Sequence, residues 1–180
     1  MVREGLIEGR YITLRSMAEE DAEFSVAIRQ DEEKTKFLHK VDNDLEKQLN
    51  WIRCQRQAQG DYFFVAEQPD GKKVGTVGIY EIEGKVGHLG RLLMIGNPYQ
   101  TFEAVLLAMK FAYDELELEE LFGDVSVGNS ASLSLSEAVG IHFVEPVYME
   151  ERNAYVQYGS AYREEFPQYA EKIEKLIYRG

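Results

Sequence analysis

"YFFVAEQPDGKKVGTVGIYEIEGKVGHLGRLLMIG", residues 62–96, decides how the rest of the chain is read. Three runs rich in Val, Ile, Leu, Tyr and Phe are broken at Asp70-Gly71 and Glu83-Gly84. Both dipeptides favour tight turns, because glycine takes positive φ without a Cβ clash. Short turns between strand-like runs predict three consecutive antiparallel strands, a meander.

Downstream, "MIGNPYQTFEA" (94–104) joins the meander to a helical pattern reaching about Leu116, with Phe102, Val105, Leu106, Met109, Tyr113 and Leu116 on one face. Asn97-Pro98 suits its start, since proline's missing N–H would be unpaired at the first helical position anyway. The strand "LFGDVSV" (121–127) follows, then a short helix with Asn129 as N-cap and Gly140 as stop. "IHFVEPVYMEE" and "NAYVQYGSAY" read as two more strands, and a last helix over 166–178 turns Phe166, Tyr169, Ile173 and Leu176 inward. Upstream, "RYITLRSM" alternates as a half-buried strand, and Ser16 stands three before Glu19, a capping-box spacing that opens a helix to about Gln30. Its inward face is Phe24, Ala27 and Ile28, and a second helix runs from about Asp44 to Gln57. With no repeat or linker, the expectation is one domain over 1–180. Its class is α/β (α+β), a mixed, mostly antiparallel sheet of about seven strands with helices on both faces.

Composition narrows the function classes. Hydrophobic residues at 44% and charged residues at 29% describe a soluble globular chain, and no apolar run is long enough to span a bilayer. The N-terminus lacks the apolar stretch of a secretory signal. A single cysteine, Cys54, excludes an intrachain disulfide and a cysteine metal centre. These features favour the cytoplasm and no membrane partner. A net charge of −12 with no basic stripe argues against nucleic acid, while an amine would be attracted.

The element order and the quoted segments resemble the GCN5-related N-acetyltransferase (GNAT) superfamily over roughly residues 8–165. The resemblance is nearest to the branch acting on protein N-termini, polyamines or amino-sugar nucleotides. It is carried by "YITLRSMAEEDAEFSVAIRQD", by Trp51 in "LNWIRCQRQ", by the meander, and by "FEAVLLAMKFAYDELELEELFGDVSVGNSASLSLSEAVGIHF". It implies direct acetyl transfer from acetyl-CoA to a primary amine, of a small molecule such as an amino sugar or polyamine, or of a protein N-terminus. It leaves homodimerisation open. In that fold the strand ending at Ile95 splays from the next, and the pantetheine arm lies in the gap. The cofactor positions implied are Leu93, Met94, Ile95, Gly96, Asn97, Tyr99, Gln100, Thr101, Phe102 and Asn129. The pyrophosphate would sit on amides at the following helix start, where the dipole favours anions.

Two positions depart from the family pattern. Its phosphate loop, Arg/Gln-x-x-Gly-x-Gly/Ala, is matched here by Gly96-Asn97-Pro98-Tyr99-Gln100-Thr101, without the later glycines. An early helix would still aim the Tyr99, Gln100 and Thr101 amides at the gap. The family's frequent acid, a tyrosine, is matched by Ser136, which is not given that role. These departures also support an alternative: a member that has lost catalysis and binds a ligand or partner.

For the base, His88 and Glu81 are the catalytic candidates. Unperturbed histidine titrates at about pH 6.5, suited to taking a proton from an ammonium. His39 and His142 are weaker, and Cys54 lies away from the expected cleft. Tyr80, Tyr148 and Tyr155 are the substrate-binding candidates, with Tyr158 beside them. No metal-ligand spacing and no Ser-His-Asp grouping is found.

Overall fold

The computed structural model describes residues 1–32, 35–37 and 43–178; His39 lies outside them. The meander forms as β3 (Tyr62–Glu67), β4 (Lys73–Glu83) and β5 (Val86–Met94). Gly71 and Gly84 sit at φ 82° and 61° in the two turns, so glycine is required there for backbone freedom. Phe63 to Ala66 are all buried because both faces of β3 are covered. Phe63 and Val65 join Met17, Ala22 and Ile52 under α1 (Ala22–Arg29) and α2 (Leu45–Gln57). Phe64 and Ala66 join the larger core under α3 (Pro98–Lys110) and α5 (Phe166–Ile177).

The sheet is completed by β1 (Ile7–Glu8), β2 (Thr13–Ser16), β6 (Glu120–Ser126), β7 (His142–Phe143), β8 (Val147–Met149) and β9 (Ala154–Tyr162). Its order is β1-β2-β3-β4-β5-β6-β9-β7, with β8 also on β9. Among the described residues there are nine strands against about seven expected: β1 adds a short edge, and "IHFVEPVYMEE" divides into β7 and β8. The division falls at Pro146, which cannot donate to a ladder. Every pairing is antiparallel except β5 with β6, which are parallel only over Val86–His88 and Glu120–Phe122. Beyond His88 the two strands part, and α4 (Ser130–Ala138) follows β6.

Local expectations are met at the Asn97 and Asn129 caps and at Gly140, which has φ 94°. Elsewhere they shift. The helix after the meander ends in a wider π-type turn over Phe111–Glu115. Leu176 is exposed and Ile177 buried instead, continuing the row Phe166, Ala170, Ile173. Likewise Val26 rather than Ala27 is buried in α1.

The Ser16–Glu19 capping box does not form. β2 runs through Ser16, whose hydroxyl exchanges hydrogen bonds with the Arg3 backbone at 2.9 Å. Asp21 caps instead, accepting from the Ala18 amide at 2.8 Å. Its fully buried carboxylate also takes both prongs of Arg15, at 2.7 and 2.8 Å, and the Lys73 ammonium at 2.6 Å. Burial alone would raise the Asp21 pKa; the Arg15 and Lys73 hydrogen bonds outweigh it and hold it below the usual value. A depressed folded pKa gives stability that is complete above the unfolded value, about 3.9, and is lost as pH falls through the folded one. Resistance to urea unfolding should therefore fall below about pH 4. Asp21→Asn should lose roughly 3–5 kcal/mol at pH 7 and show a flatter acid limb. Parallel acid limbs for the two proteins would refute this account.

Candidate active site

The point where β5 and β6 part is built from a row of rings. Register places Tyr80 beside His88 and His88 beside Phe122, with ring centroids 4.5 Å apart on either side. Clamped between two rings, His88 keeps one orientation. Its Nδ1 lies 3.1 Å from Glu81 Oε2, which holds the hydrogen on that nitrogen in the neutral ring. Nε2 is then the basic nitrogen, 3.5 Å from the Tyr80 hydroxyl and 3.7 Å from Asp124 Oδ1. Burial pushes the Tyr80 phenol up to about 12, so it is neutral at pH 7. Asp124 is ion-paired with Arg152, from the turn after β8.

Two β-bulges shape the floor. Glu81 and Arg91 have φ of 50° and 51°, and they are two of the four described non-glycine residues with positive φ. The first bulge carries Glu81 beside the His88 ring. The second is closed by the Thr76 hydroxyl donating to the Arg91 carbonyl at 3.0 Å. The Arg91 guanidinium lies over the Tyr80 ring at 3.9 Å, with Trp51 at 5.2 Å, and forks onto Asp61.

Above this floor a cavity of about 480 Å³ is lined by Tyr80, His88, Arg91, Asp124, Ser136 and Arg152, among others. A second, of about 640 Å³, continues between Leu92–Met94 and the start of α4. The two share Leu92, Asn129, Ser132 and Leu135, so they form one cleft along the gap. The Ile95 amide bonds to the Val74 carbonyl at 2.8 Å, and Leu93 pairs with Thr76. Alternation then turns the backbone groups of Leu92 and Met94 toward the gap, where no strand among the described residues meets them.

The start of α3 is closed on itself. Asn97 Oδ1 accepts from the Gln100 amide, and Gln100 Oε1 accepts from the Asn97 amide, both at 3.0 Å. The Thr101 amide bonds to the Asn97 carbonyl and Pro98 has none to give. Of the three amides expected to face the gap, Tyr99's is the one with no acceptor among the described residues. A Cβ on Gly96 would stand 2.3 Å from Gln100 Oε1, so that glycine makes room for the cap.

The remaining candidates scatter. Gly96 and Phe102 line the second cavity, and Asn129 caps α4 by accepting from Ser132. Tyr148 and Tyr155 pack edge-to-face on the β8–β9 hairpin, outside both cavity walls. His142 pairs with Glu165 and Cys54 is exposed on α2. Nothing in the sequence marks Asp124, Arg152, Arg91 and Asp61 as a group; spacing alone cannot bring together four charges from four separate segments. Among the described residues no His, Cys, Asp and Glu group is placed to hold a metal, and no helix is long and apolar enough to cross a membrane.

A family model for the GNAT acetyltransferase domain matches residues 12–142, well over half of the chain. The chain belongs to the GNAT acetyltransferase family. Solved GNAT structures share its fold at low identity. A GCN5-related N-acetyltransferase from Brucella melitensis superposes with a TM-score of 0.81 at 17% identity, covering 97% of this chain and 86% of that one. FdhC, a nucleotide-linked sugar GNAT, gives 0.79 at 20%, covering 99% and 100%. A Vibrio cholerae spermidine N-acetyltransferase chimera with hSSAT gives 0.77 at 14%, covering 88% and 99%. No curated protein sequence matches the chain. As a GNAT protein it is an acyltransferase, and GNAT enzymes generally use acetyl-CoA. The unpaired backbone at Leu92 and Met94 fits an extended amide-bearing arm; the self-capped α3 offers a pyrophosphate far less.

Proposed function

We propose that this chain transfers an acetyl group directly from acetyl-CoA to a primary amine, with His88 as general base. The observation that carries this is the position of His88, which lines the cavity where β5 and β6 part, with Nε2 beside Tyr80 and Asp124 of the same lining while Glu81 holds Nδ1. Acetyl-CoA would supply the activated acetyl group. The chain's own residues then do three things. Leu92 and Met94 hold the arm by backbone pairing, and with the amides near the Arg91 bulge offer donors to a developing oxyanion. His88 takes the amine's proton, and Asp124 stabilises the resulting imidazolium. Tyr80, neutral and beside Nε2, orders the acceptor by hydrogen bonding. The strain at Glu81 and Arg91 is concentrated on this floor, the usual place for backbone held by function.

The mutual Asn97–Gln100 cap favours a second reading, a member that binds a ligand without turnover. Isothermal titration with acetyl-CoA and a thiol-release assay over an amine panel separate the two. Binding with thiol release is expected. Binding without release favours the second reading, and no heat at millimolar acetyl-CoA removes the first.

A further inference from the structure

The chain as a whole carries 20 Lys and Arg against 32 Asp and Glu, yet the cavity over His88 reverses that balance. Four cationic side chains line it, Arg29, Lys36, Arg91 and Arg152, against two carboxylates, Asp124 and Glu151. Of the two, Asp124 is already paired with Arg152; Asp61, behind the wall, is paired with Arg91, and Glu81 does not line the cavity. Glu151 alone is on the exposed rim. The Arg91 and Arg152 guanidiniums, in contrast, have donors to spare. A guanidinium has five N–H groups. Arg91 gives two to Asp61 and Arg152 gives one to Asp124.

We propose that the acceptor is an amine carrying its own anionic group, a phosphate or a carboxylate, held by Arg91 and Arg152 beside the histidine. This rests on the transfer reading for the amine's role, and adds what the rest of the acceptor must be. A polyamine brings several ammonium groups into a cavity with no spare carboxylate at its floor. The protein's net negative field would draw such a cation from a distance, but that field is screened beyond about 8 Å in physiological salt. Contacts inside the cavity then decide, and guanidinium forks match carboxylate and phosphate geometry.

The test is calorimetric titration of the whole protein, without acetyl-CoA and again with it, using glucosamine 6-phosphate, glucosamine, glutamate and spermidine. Glucosamine 6-phosphate should bind about tenfold or more tighter than glucosamine, the worth of one charge-assisted hydrogen bond. Glutamate measures the carboxylate arm, and spermidine should be weakest. Arg152→Gln should cost the phosphate probe about tenfold and, by releasing Asp124, improve spermidine. Lys36→Gln, on the surface and safe for folding, should weaken the phosphate probe in the same direction. Spermidine binding as well as the anionic amines, or no probe binding under either condition, would overturn the proposal. The transfer reading fails separately: anionic amines that bind without thiol release defeat it and leave this one standing, while turnover on spermidine does the reverse.

Discussion

His88→Ala should lower kcat for acetyl transfer by about 10²–10⁴-fold, the usual contribution of a positioned general base. The KM for acetyl-CoA should barely move, because His88 lies on the floor of the first cavity and does not line the second. Glu81→Gln should do less, about tenfold, the worth of one charge-assisted hydrogen bond to Nδ1. The ordering follows from geometry: Nε2 lies beside Tyr80 and Asp124, which line the cavity, whereas the Glu81 carboxylate is spent on Nδ1 and does not line it. Alanine also removes a ring packed between Tyr80 and Phe122, so His88→Gln is the companion variant. It keeps bulk and polarity but cannot serve as a base near neutral pH, and should fall as far. Rates for both His88 variants within about threefold of wild type would assign the proton to water or another group.

The fold was legible where short-range rules settle it. Asp70-Gly71, Glu83-Gly84, Asn97-Pro98, Asn129 and Gly140 all act as their local chemistry predicts. What failed depended on which of two competing partners a side chain would find. Ser16 had the spacing of a cap but was taken by β2, and Asp21, unremarked in a run of acids, took the role because Arg15 and Lys73 converge on it. At the site, His88 and Glu81 were visible one by one. That Glu81 reaches Nδ1 depends on a bulge at φ 50°, which no periodicity reveals. Asp124 and Arg152 meet only because β9 pairs with β6 and brings the turn after β8 alongside. The cap at α3 shows the converse: "GNPYQT" has the chemistry of a helix start and forms one, but the reciprocal use of Gln100 withdraws amides that a helix start would otherwise offer.

Glu103→Ala should destabilise the protein by roughly 4 kcal/mol, a large part of a typical 5–15 kcal/mol total. In sequence Glu103 interrupts the apolar run "FEAVLLAM" without any visible partner. In the structure it is fully buried, and its carboxylate accepts four hydrogen bonds. Oε2 takes the Tyr11 and Ile12 amides, both at 2.8 Å, while Oε1 takes the Arg10 amide at 2.7 Å and the Tyr178 hydroxyl at 2.6 Å. One side chain on α3 thus fastens the start of β2 and the end of the last helix. Burial together with the Glu103 carboxylate pushes the Tyr178 phenol up, so it remains a donor at neutral pH. Gly9 makes room, since a Cβ there would lie 2.6 Å from the Glu103 carboxyl carbon. Alanine strands these donors, and each buried unpaired one costs about 1–3 kcal/mol before relaxation and water recover part of it. Glutamine should cost less, roughly 2 kcal/mol. Its oxygen can keep the Tyr11 and Ile12 amides, and its NH₂ can donate to a rotated Tyr178 hydroxyl, so only the Arg10 amide loses its acceptor. Urea unfolding of the three proteins checks the order wild type, Glu103→Gln, Glu103→Ala. If the two variants lost stability equally, the bonds that glutamine can keep would count for nothing, and the loss would come from the carboxylate's charge, since glutamine preserves the side chain's volume.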